Sequence, residues 1–297
     1  MIWHGFANRF RLTCSLLLFF LSFTLCQKTT AQPINQPVNN PEWEVPYKPF
    51  RIVGNLYYVG TSELASFLIV TEKGNILINT GLANSLPQLK LNIEELGFAY
   101  KDIKILLTNQ VHYDHVGAMA AIKKETGARF FVNSADADVL KSGGMTDYEL
   151  ANLGMSFSPI EPDRLLKNND KIKLGKTTLR MLHHPGHTKG SCSYLINVID
   201  SGKTFVVLIA NIPTIIIDRK FPEVKEYPTI QKDYANTFRA MKNLSFDIWL
   251  AAHASQFNLH QIRNQGDSYN PGVFLNKSAY RKQIEINETV FNRKILE

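Results

Sequence analysis

Residues 102–116 read DIKILLTNQVHYDHV and join a short apolar run to a cluster of side chains that can hold a metal ion. The apolar run, 102–108, has the length and composition of a buried β-strand. Four candidate ligands follow it: Gln110, His112, Asp114 and His115. The loop after a buried strand is a common position for a functional site, and imidazole and carboxylate groups suit Zn²⁺. The stretch therefore predicts a strand within a sheet and a metal-binding loop at its end.

Two more histidines follow strand-like segments elsewhere in the chain. His187 lies in HHPGHTKGS, 183–191, where a Pro-Gly pair fixes a sharp loop. His253 follows the apolar segment 248–252. If the site holds two metal ions, one loop cannot easily surround both, so further ligands have to come from other parts of the chain. Because all three loops follow strand ends, we expect them to converge on one rim of the sheet.

The rest of the chain alternates strand-like and helix-like segments, which predicts an α/β layered fold with one large core. Period-two and short apolar runs predict strands over 51–60, 66–81, 102–108, 128–133, 171–184, 191–200, 203–210 and 247–253. Helical spacing and end signals predict helices over 85–97, 115–126, 134–142, 229–243, 258–265 and 276–295. The Gly- and Asn-rich segment 143–170 is expected to form a loop that covers the site.

The N-terminal residues have the layout of a secretory signal peptide. In residues 1–31, Arg9 and Arg11 precede the apolar run 16–25, and a short polar stretch ends at Ala31. The alternative is a membrane anchor, but a spanning helix needs about 20 apolar residues, and this run is about half as long. We expect cleavage of residues 1–31, with lipid modification at Cys26 as a lesser alternative. A proline-rich arm, 32–49, then leads to a single domain, 50–297.

Composition excludes some classes of function. Removing residues 1–31 takes away Arg9, Arg11 and Lys28 and no acidic residue, so the remaining chain is only weakly basic. It has no basic run interleaved with aromatic residues, which argues against nucleic-acid binding. Cys192 is then the one remaining cysteine, so no intramolecular disulfide is possible. No extensive apolar surface pattern indicates an oligomer, and we expect a monomer with no membrane span after cleavage.

The motifs together resemble those of the metallo-β-lactamase superfamily over roughly residues 50–260. The resemblance lies in the H-x-D-H sequence after an apolar strand, the later PGHTKGS, and a histidine at a still later strand end. It implies an αββα sandwich, in which two mixed sheets are flanked by helices and the site lies at one edge. The site in this family usually holds two zinc ions, so one or two per chain are expected.

The resemblance also implies two sets of ligands, here named the first and second subsites. The first subsite consists of Gln110, His112 and His187, and the second of Asp114, His115 and His253. The second set is typical of the β-lactamase subclass B3, whereas the other main subclasses use a cysteine, which LIANIPT, 208–214, does not contain. Gln110 replaces the usual histidine, and Asn79 replaces the usual aspartate of LINTG. Because an amide oxygen is a poorer zinc ligand than imidazole, the second subsite is expected to be the tighter one.

The implied activity is hydrolysis of a cyclic amide. By resemblance, the chain is an exported β-lactamase that confers antibiotic resistance by hydrolysing β-lactams, including carbapenems, with a zinc-bound hydroxide oriented by Asp114. Ser191 and Thr214 match positions near the substrate carboxylate, and Tyr113 lines the pocket mouth. Two alternatives stay open: another exported hydrolase of this fold, such as a lactonase, and a non-catalytic zinc-binding relative. Against the first, Asn211 and Ile212 stand where thioesterases, many lactonases and tRNA nucleases have a metal-bridging aspartate.

Overall fold

Two β-sheets packed face to face form the centre of the protein, and helices flank them, as the resemblance implied. The computed structural model describes residues 1–4 and 34–297, so the expected signal peptide lies, apart from its first four residues, outside the described residues. Residues 34–297 form one unit. In the described residues, none of the helices combines the length and the apolar character that crossing a bilayer requires.

The first sheet has seven strands in sequential order, antiparallel from β1 to β4 and parallel from β4 to β7. Its strands are β1 (Phe50–Val53), β2 (Leu56–Tyr58), β3 (Phe67–Thr71), β4 (Gly74–Ile78), β5 (Ile103–Leu107), β6 (Arg129–Asn133) and β7 (Arg164–Leu166). The parallel arrangement brings the carboxyl ends of β4, β5 and β6 to one edge of the sheet.

The second sheet has five strands in the order β12-β11-β10-β9-β8, with one parallel pair, β11 and β12. Its strands are β8 (Lys171–Leu174), β9 (Thr177–His183), β10 (Cys192–Asp200), β11 (Lys203–Ala210) and β12 (Ile248–Ala251). The α-helices are α1 (Leu86–Glu95), α2 (Tyr113–Val116), α3 (Met119–Thr126), α4 (Ala137–Lys141), α5 (Ile230–Lys242), α6 (Leu259–Ile262) and α7 (Lys277–Ile295). Short 3-10 turns occupy Pro41–Trp43, Ala83–Ser85, Tyr100–Asp102, Ser134–Asp136, Leu150–Leu153, Phe221–Glu223, Ser255–Phe257 and Pro271–Phe274.

The central strands of the first sheet are buried on both faces. Ile76 and Ile78 belong to the core shared with the second sheet, whereas Leu77 and Leu106 belong to the core shared with α1, α3 and α4. Side chains alternate between the two faces of a strand, so a strand covered on both sides reads as a near-continuous apolar run. This is why the strand predicted over 102–108 is confirmed as β5.

Backbone hydrogen bonds join the two sheets at the edge where the candidate ligands lie. The Cys192 N–H donates to the Asn109 carbonyl at 2.8 Å, and the Ala65 N–H donates to the Ala252 carbonyl at 3.1 Å. Leu64 and His253 also form an isolated bridge. The loop after β5 is therefore fixed against β10, and the loop after β12 is fixed against the segment that precedes β3.

The helix predicted over 258–265 covers only Leu259–Ile262, because Arg263 is extended, and two further predictions need correction. The helix predicted over 115–126 is two helices, α2 and α3, because the Gly117 N–H donates to the Gly81 carbonyl instead of continuing the helical ladder. A Cβ at Gly117 would lie 2.6 Å from the backbone of Leu82 and Ala83, so this close approach requires glycine. The segment 143–170, predicted as loop, contains β7. This strand has three residues, of which only Leu166 is buried, too few to produce a recognisable pattern.

Candidate metal centre

Hydrogen bonds made by side-chain amides hold the loop between β5 and α2 in place. The Asn79 Oδ1 accepts hydrogen bonds from the Asn109 N–H at 3.0 Å and from the Thr108 hydroxyl at 3.1 Å. The Asn79 Nδ2 donates to the Asn109 Oδ1 at 3.0 Å, and the Asn109 Nδ2 donates to the Cys192 carbonyl at 2.9 Å. The loop is thereby connected to β4 on one side and β10 on the other, which fixes the backbone that carries Gln110.

The structure brings the three predicted ligands of the second subsite together. The Asp114 Oδ2 lies 3.1 Å from His115 Nε2 and 3.4 Å from His253 Nε2. One ligand atom from each of the three residues falls within 4.8 Å of the others. Asp114 and His115 lie on the short helix α2, and His253 follows β12, so the second subsite draws on both sheets.

Glu63 supports the second subsite and was not among the sequence candidates. Its Oε1 lies 3.5 Å from His253 Nδ1, the ring nitrogen that faces away from Asp114. Glu63 also accepts hydrogen bonds from the Ser255 hydroxyl at 2.5 Å and the Ser255 N–H at 3.0 Å. Burial raises the pKa of Glu63, but the hydrogen bonds from His253 and Ser255 outweigh it and the pKa is lowered. An ionised carboxylate behind a histidine ligand fixes the ring orientation and tautomer.

The two histidines of the first subsite also face each other. His112 Nδ1 lies 3.2 Å from His187 Nε2, and the ring centroids are 4.9 Å apart. The His187 Nδ1–H donates to the Thr214 carbonyl at 2.8 Å, which leaves Nε2 with its lone pair directed into the site. Gln110 is buried, and its Oε1 has no hydrogen-bond partner among the described residues.

Asp147 is a second buried carboxylate that the sequence did not single out. Its Oδ2 lies 3.3 Å from His112 Nε2, and both side chains are almost completely buried. The approach is at ion-pair distance, although Nε2 has no well-aligned hydrogen-bond partner among residues 1–4 and 34–297. Asp147 lies in the segment 143–170, which was expected to cover the site, and no local motif marks it as a partner of His112.

Burial and neighbouring charges set the protonation of the ligands. Burial raises the pKa of Asp114, but His115 and His253 outweigh it and hold the pKa well below its usual range. Burial and the charge of His112 lower the pKa of His187 to about 3. Burial lowers the pKa of His253, but Asp114 and Glu63 outweigh it and raise the pKa to about 9. At neutral pH, Asp114 is ionised and His187 is neutral, which are the forms that bind a metal ion.

The donor set fits metal ions of the Zn²⁺ type. Four imidazoles and one carboxylate converge on the edge where the sheets meet, and the buried Gln110 lies in the same loop as His112. Gln110 Oε1 and His115 Nε2 are buried and lack hydrogen-bond partners in the described part of the chain. Burying a polar atom without a partner is costly, and a cation in the first subsite would satisfy Gln110 Oε1 while one in the second would satisfy His115 Nε2. Imidazole nitrogen and carboxylate oxygen are ligands that zinc accepts.

The three predicted substrate contacts lie at the same edge, each with a protein partner. The Ser191 hydroxyl is buried and accepts a hydrogen bond from the Thr188 N–H at 2.8 Å. The Thr214 hydroxyl lies 3.0 Å from His187 Nδ1. The Tyr113 hydroxyl donates to the Pro37 carbonyl at 3.1 Å. Their role toward a substrate stays a prediction.

The N-terminal arm lies over the second subsite. The Trp43 ring centroid is 6.1 Å from that of Tyr113 and 6.2 Å from that of His253. Further along the arm toward the N-terminus, Asn35 exchanges hydrogen bonds with Ser156, through its N–H to the hydroxyl at 3.0 Å and its carbonyl from the N–H at 2.9 Å. The arm therefore connects the second subsite to the segment that contains Asp147.

Comparisons with known proteins agree with this arrangement. A sequence model described as the metallo-β-lactamase superfamily matches residues 64–198. The crystal structure of the metallo-β-lactamase GOB-18 from Elizabethkingia meningoseptica is 57% identical, with a TM-score of 0.88 over 90% of this chain and 99% of that chain. The class B3 di-zinc metallo-β-lactamase LRA-12 from an Alaskan soil metagenome is 52% identical, with a TM-score of 0.87 over 89% of this chain and 100% of that chain.

A curated relative adds a more distant match. An uncharacterized protein of Aquifex aeolicus is 31% identical over 104 residues, which are 33% of this chain and 47% of that protein, so the match spans less than half of its length. The two solved structures, in contrast, match almost over their full length. On this likeness and on the paired histidine and aspartate ligands, the chain belongs to the metallo-β-lactamase superfamily, where it groups with enzymes of subclass B3.

Proposed function

We propose that this protein is an exported zinc-dependent β-lactamase that hydrolyses the amide bond of β-lactam antibiotics, carbapenems included. The observation that carries the proposal is the Asp114, His115 and His253 cluster beside the facing pair His112 and His187. The subclass B3 relative LRA-12, named as a di-zinc enzyme, supports the assignment of zinc. One or two zinc ions per chain fit the six candidate ligands.

The chemistry that zinc supplies when bound is a lowered pKa of its water ligand, to about 7, and Lewis-acid polarisation of the substrate. The protein residues have separate tasks. Asp114 Oδ2 faces His115 and His253, so its other oxygen is free to accept a hydrogen bond from the attacking water molecule and to orient it. Glu63 fixes the ring of His253, and the Thr214 carbonyl fixes that of His187. Because the β-lactam ring is strained, its amide bond can be hydrolysed without a serine or cysteine nucleophile.

Substrate recognition is assigned to the residues around the two subsites. We propose that the Ser191 and Thr214 hydroxyls lie near the substrate carboxylate and that Tyr113 lines the mouth. Trp43 from the arm adds an aromatic wall next to Tyr113. Such amphipathic rings provide large contact area for a small apolar substituent.

The test is hydrolysis of a chromogenic cephalosporin by the purified protein, with and without a chelator. We expect turnover that a chelator abolishes and that added zinc restores. Turnover of a lactone in place of every β-lactam tested would support the alternative hydrolase, and zinc binding without any turnover would support a non-catalytic relative. Asn211, the buried residue directly after β11, provides no carboxylate for the bridging role that thioesterases and many lactonases use.

The order in which the subsites fill is a second part of the proposal. The second subsite has a charged ligand and two imidazoles, whereas the first has two imidazoles and a neutral amide, which is a weaker zinc ligand. We propose that the second subsite fills first and supports activity alone. Metal content measured against turnover in chelator-limited samples tests this, and activity that always requires two zinc ions per chain would contradict it.

Replacing Gln110 with histidine tests the zinc affinity of the first subsite separately from that of the second. Gln110→His adds an imidazole to the first subsite, so we expect its zinc dissociation constant to decrease in a competition titration, while that of the second subsite stays the same. Unchanged affinity of the first subsite would show that Gln110 is not a ligand.

Export to the periplasm is the remaining part of the proposal. It rests on the arrangement of residues 1–31, in which Arg9 and Arg11 precede an apolar run and Ala31 ends the segment. Cell fractionation and mass spectrometry of the mature N-terminus test it. A first residue of Gln32 in the periplasmic fraction is expected, and a lipid-modified N-terminus at Cys26 in the membrane fraction would contradict cleavage after residue 31.

A further inference from the structure

Asp147 and Tyr148 are adjacent in the chain, and each contacts one of the two histidines of the first subsite. The Asp147 carboxylate lies 3.3 Å from His112 Nε2. The Tyr148 hydroxyl donates to the His187 carbonyl at 2.9 Å. Both residues are buried. The first subsite therefore has a support of its own, apart from the Glu63 carboxylate that serves the second subsite.

This support is held rigidly within the segment between α4 and β7. The Asp147 Oδ1 accepts hydrogen bonds from the Glu149 N–H at 2.9 Å and the Leu150 N–H at 2.7 Å. The Arg219 guanidinium donates to the Tyr148 carbonyl at 2.8 Å and to the Glu149 carboxylate at 3.0 Å. One oxygen of Asp147 is thus occupied by the backbone turn, and the other is directed at His112.

The chemistry of the carboxylate selects one form of the His112 ring. His112 Nδ1 faces His187 Nε2, so Nδ1 is the nitrogen that points into the first subsite. A neutral imidazole has a lone pair on only one nitrogen, and an ionised carboxylate can only accept a hydrogen bond. A carboxylate next to Nε2 favours the proton on that nitrogen and leaves the Nδ1 lone pair free for a metal ion.

We propose that Asp147 is the positioning residue of the first metal subsite, where it holds His112 in the Nε2–H form and strengthens a ligand set that contains the neutral Gln110. The inference rests on the proposed assignment of Gln110, His112 and His187 as zinc ligands. It extends that assignment by naming the residue that determines how strongly the first subsite binds.

Asp147→Asn tests the proposal because the backbone turn determines which atom of the new side-chain amide faces His112. The Glu149 and Leu150 N–H groups require an oxygen, so the nitrogen of the introduced amide would face His112 Nε2 and favour the opposite tautomer. We expect the first-subsite zinc affinity to fall by about 10- to 100-fold, measured by competition with a chromophoric chelator. His187→Ala, which disables the first subsite, gives the constant of the second subsite alone, and adding Asp147→Asn to it should leave that constant unchanged.

A matched control is Asp138→Asn, which makes the same change on an exposed residue of α4. It is expected to retain both zinc constants. If Asp147→Asn does not fold, as judged by a thermal melt, Asp147→Ser replaces it, since serine can also accept the backbone hydrogen bonds of a turn but does not reach His112 as a carboxylate. The same loss of first-subsite affinity is expected.

A spectroscopic measurement distinguishes an effect of Asp147 on the His112 ring from a general structural effect of the substitution. Long-range ¹H–¹⁵N NMR of the histidine rings in metal-free protein should show His112 Nε2 protonated in the wild type and unprotonated in Asp147→Asn. Equal first-subsite constants, or a proton that stays on His112 Nε2 in the variant, would overturn the proposal. A protein that binds two zinc ions but hydrolyses no β-lactam would contradict the proposed function and leave this inference standing.

Discussion

Asn79 departs from the family pattern, and its hydrogen-bond partners explain why an amide is needed at this position. The resemblance implied an aspartate at this position, yet the Asn79 amide donates to the Asn109 Oδ1 and accepts from the Asn109 N–H and the Thr108 hydroxyl. The side chain is completely buried. A carboxylate could accept the same bonds but could not donate, so the amide at Asn79 is matched to the amide at Asn109.

We therefore expect Asn79→Asp to destabilise the protein, although it restores the family residue. The new oxygen would lie against the Asn109 Oδ1 and the Ala65 carbonyl, which are both acceptors. A buried group left unsatisfied in this way costs about 1–3 kcal/mol, and more when it is charged. The free energy of unfolding in urea measures the loss.

Asn169→Asp is the control for this substitution. Asn169 has a left-handed backbone with φ of 69°, similar to the φ of 60° at Asn79, but it is exposed and accepts a hydrogen bond from Arg180. Little change in stability is expected there. An Asn79→Asp variant as stable as the wild type would show that the amide network can rearrange.

Gly186, in the loop that carries His187, is expected to tolerate no side chain. Its φ is 136°, and a Cβ would lie 2.7 Å from the ring of Tyr234. Strained backbone and overpacking together cost about 2–4 kcal/mol. Gly186→Ala should lower both the free energy of unfolding and the affinity of the first subsite for zinc, because the loop must shift away from Tyr234.

Gly202→Ala provides the comparison. Its φ is 80°, but a Cβ there would have no neighbour within 4 Å. Only the backbone cost of about 1–2 kcal/mol is expected, with zinc affinity unchanged. Equal effects at the two glycines would contradict the role assigned to the contact with Tyr234.

At the scale of elements, the arm and the segment 143–170 form the walls of the site. Trp43 packs near Tyr113 and His253, and Asn35 is hydrogen-bonded to Ser156 on the other side. The segment 143–170 was expected from the sequence to cover the site, but its contact with the arm was not expected. The arm thus lies against the second subsite, whereas Asp147 and Tyr148 contact the histidines of the first.

Trp43→Ala is expected to weaken substrate binding more than turnover. Losing an aromatic contact of about 1 kcal/mol corresponds to a rise in KM of about fivefold, with a smaller change in kcat, since Trp43 is not a metal ligand. Steady-state kinetics with a chromogenic cephalosporin measure both values, and Trp43→Phe should retain most of the effect of the ring. An unchanged KM would exclude Trp43 from the substrate wall.

At the scale of the whole molecule, the candidate metal centre lies where the two sheets meet. Gln110, His112, Asp114 and His115 follow β5 of the first sheet, whereas His187 and His253 follow β9 and β12 of the second. Each subsite therefore takes ligands from both sheets. Metal binding should stabilise the fold as a whole and not only the loops that carry the ligands.

We expect zinc to raise the unfolding temperature and a chelator to lower it. A ligand that binds only the folded state at 100 times its Kd stabilises it by about 2.7 kcal/mol per site. Calorimetry with and without zinc measures this effect, and His187→Ala should reduce it to the contribution of the second subsite. An unfolding temperature independent of zinc would mean that the ligands do not bind a metal ion across the two sheets.

Features that depend on neighbours along the chain could be predicted without the structure. The apolar run 102–108 predicted β5, and the ligand types after β5, β9 and β12 predicted one metal-binding edge, because side-chain periodicity and strand ends are local properties. The α/β layering followed from these signals, and the grouping of Asp114, His115 and His253 followed from the resemblance to the metallo-β-lactamase superfamily.

The groups that contact the candidate ligands from the side away from the site could not be predicted, because they come from distant parts of the chain. Glu63 meets His253, Asp147 meets His112, and Asn79 meets Asn109, although each pair is far apart in the chain. These residues have no distinctive local pattern, since a buried carboxylate or amide is defined by its partner and not by its sequence neighbours. The packing of the two sheets against each other, and of the segment 143–170 against their edge, creates these contacts.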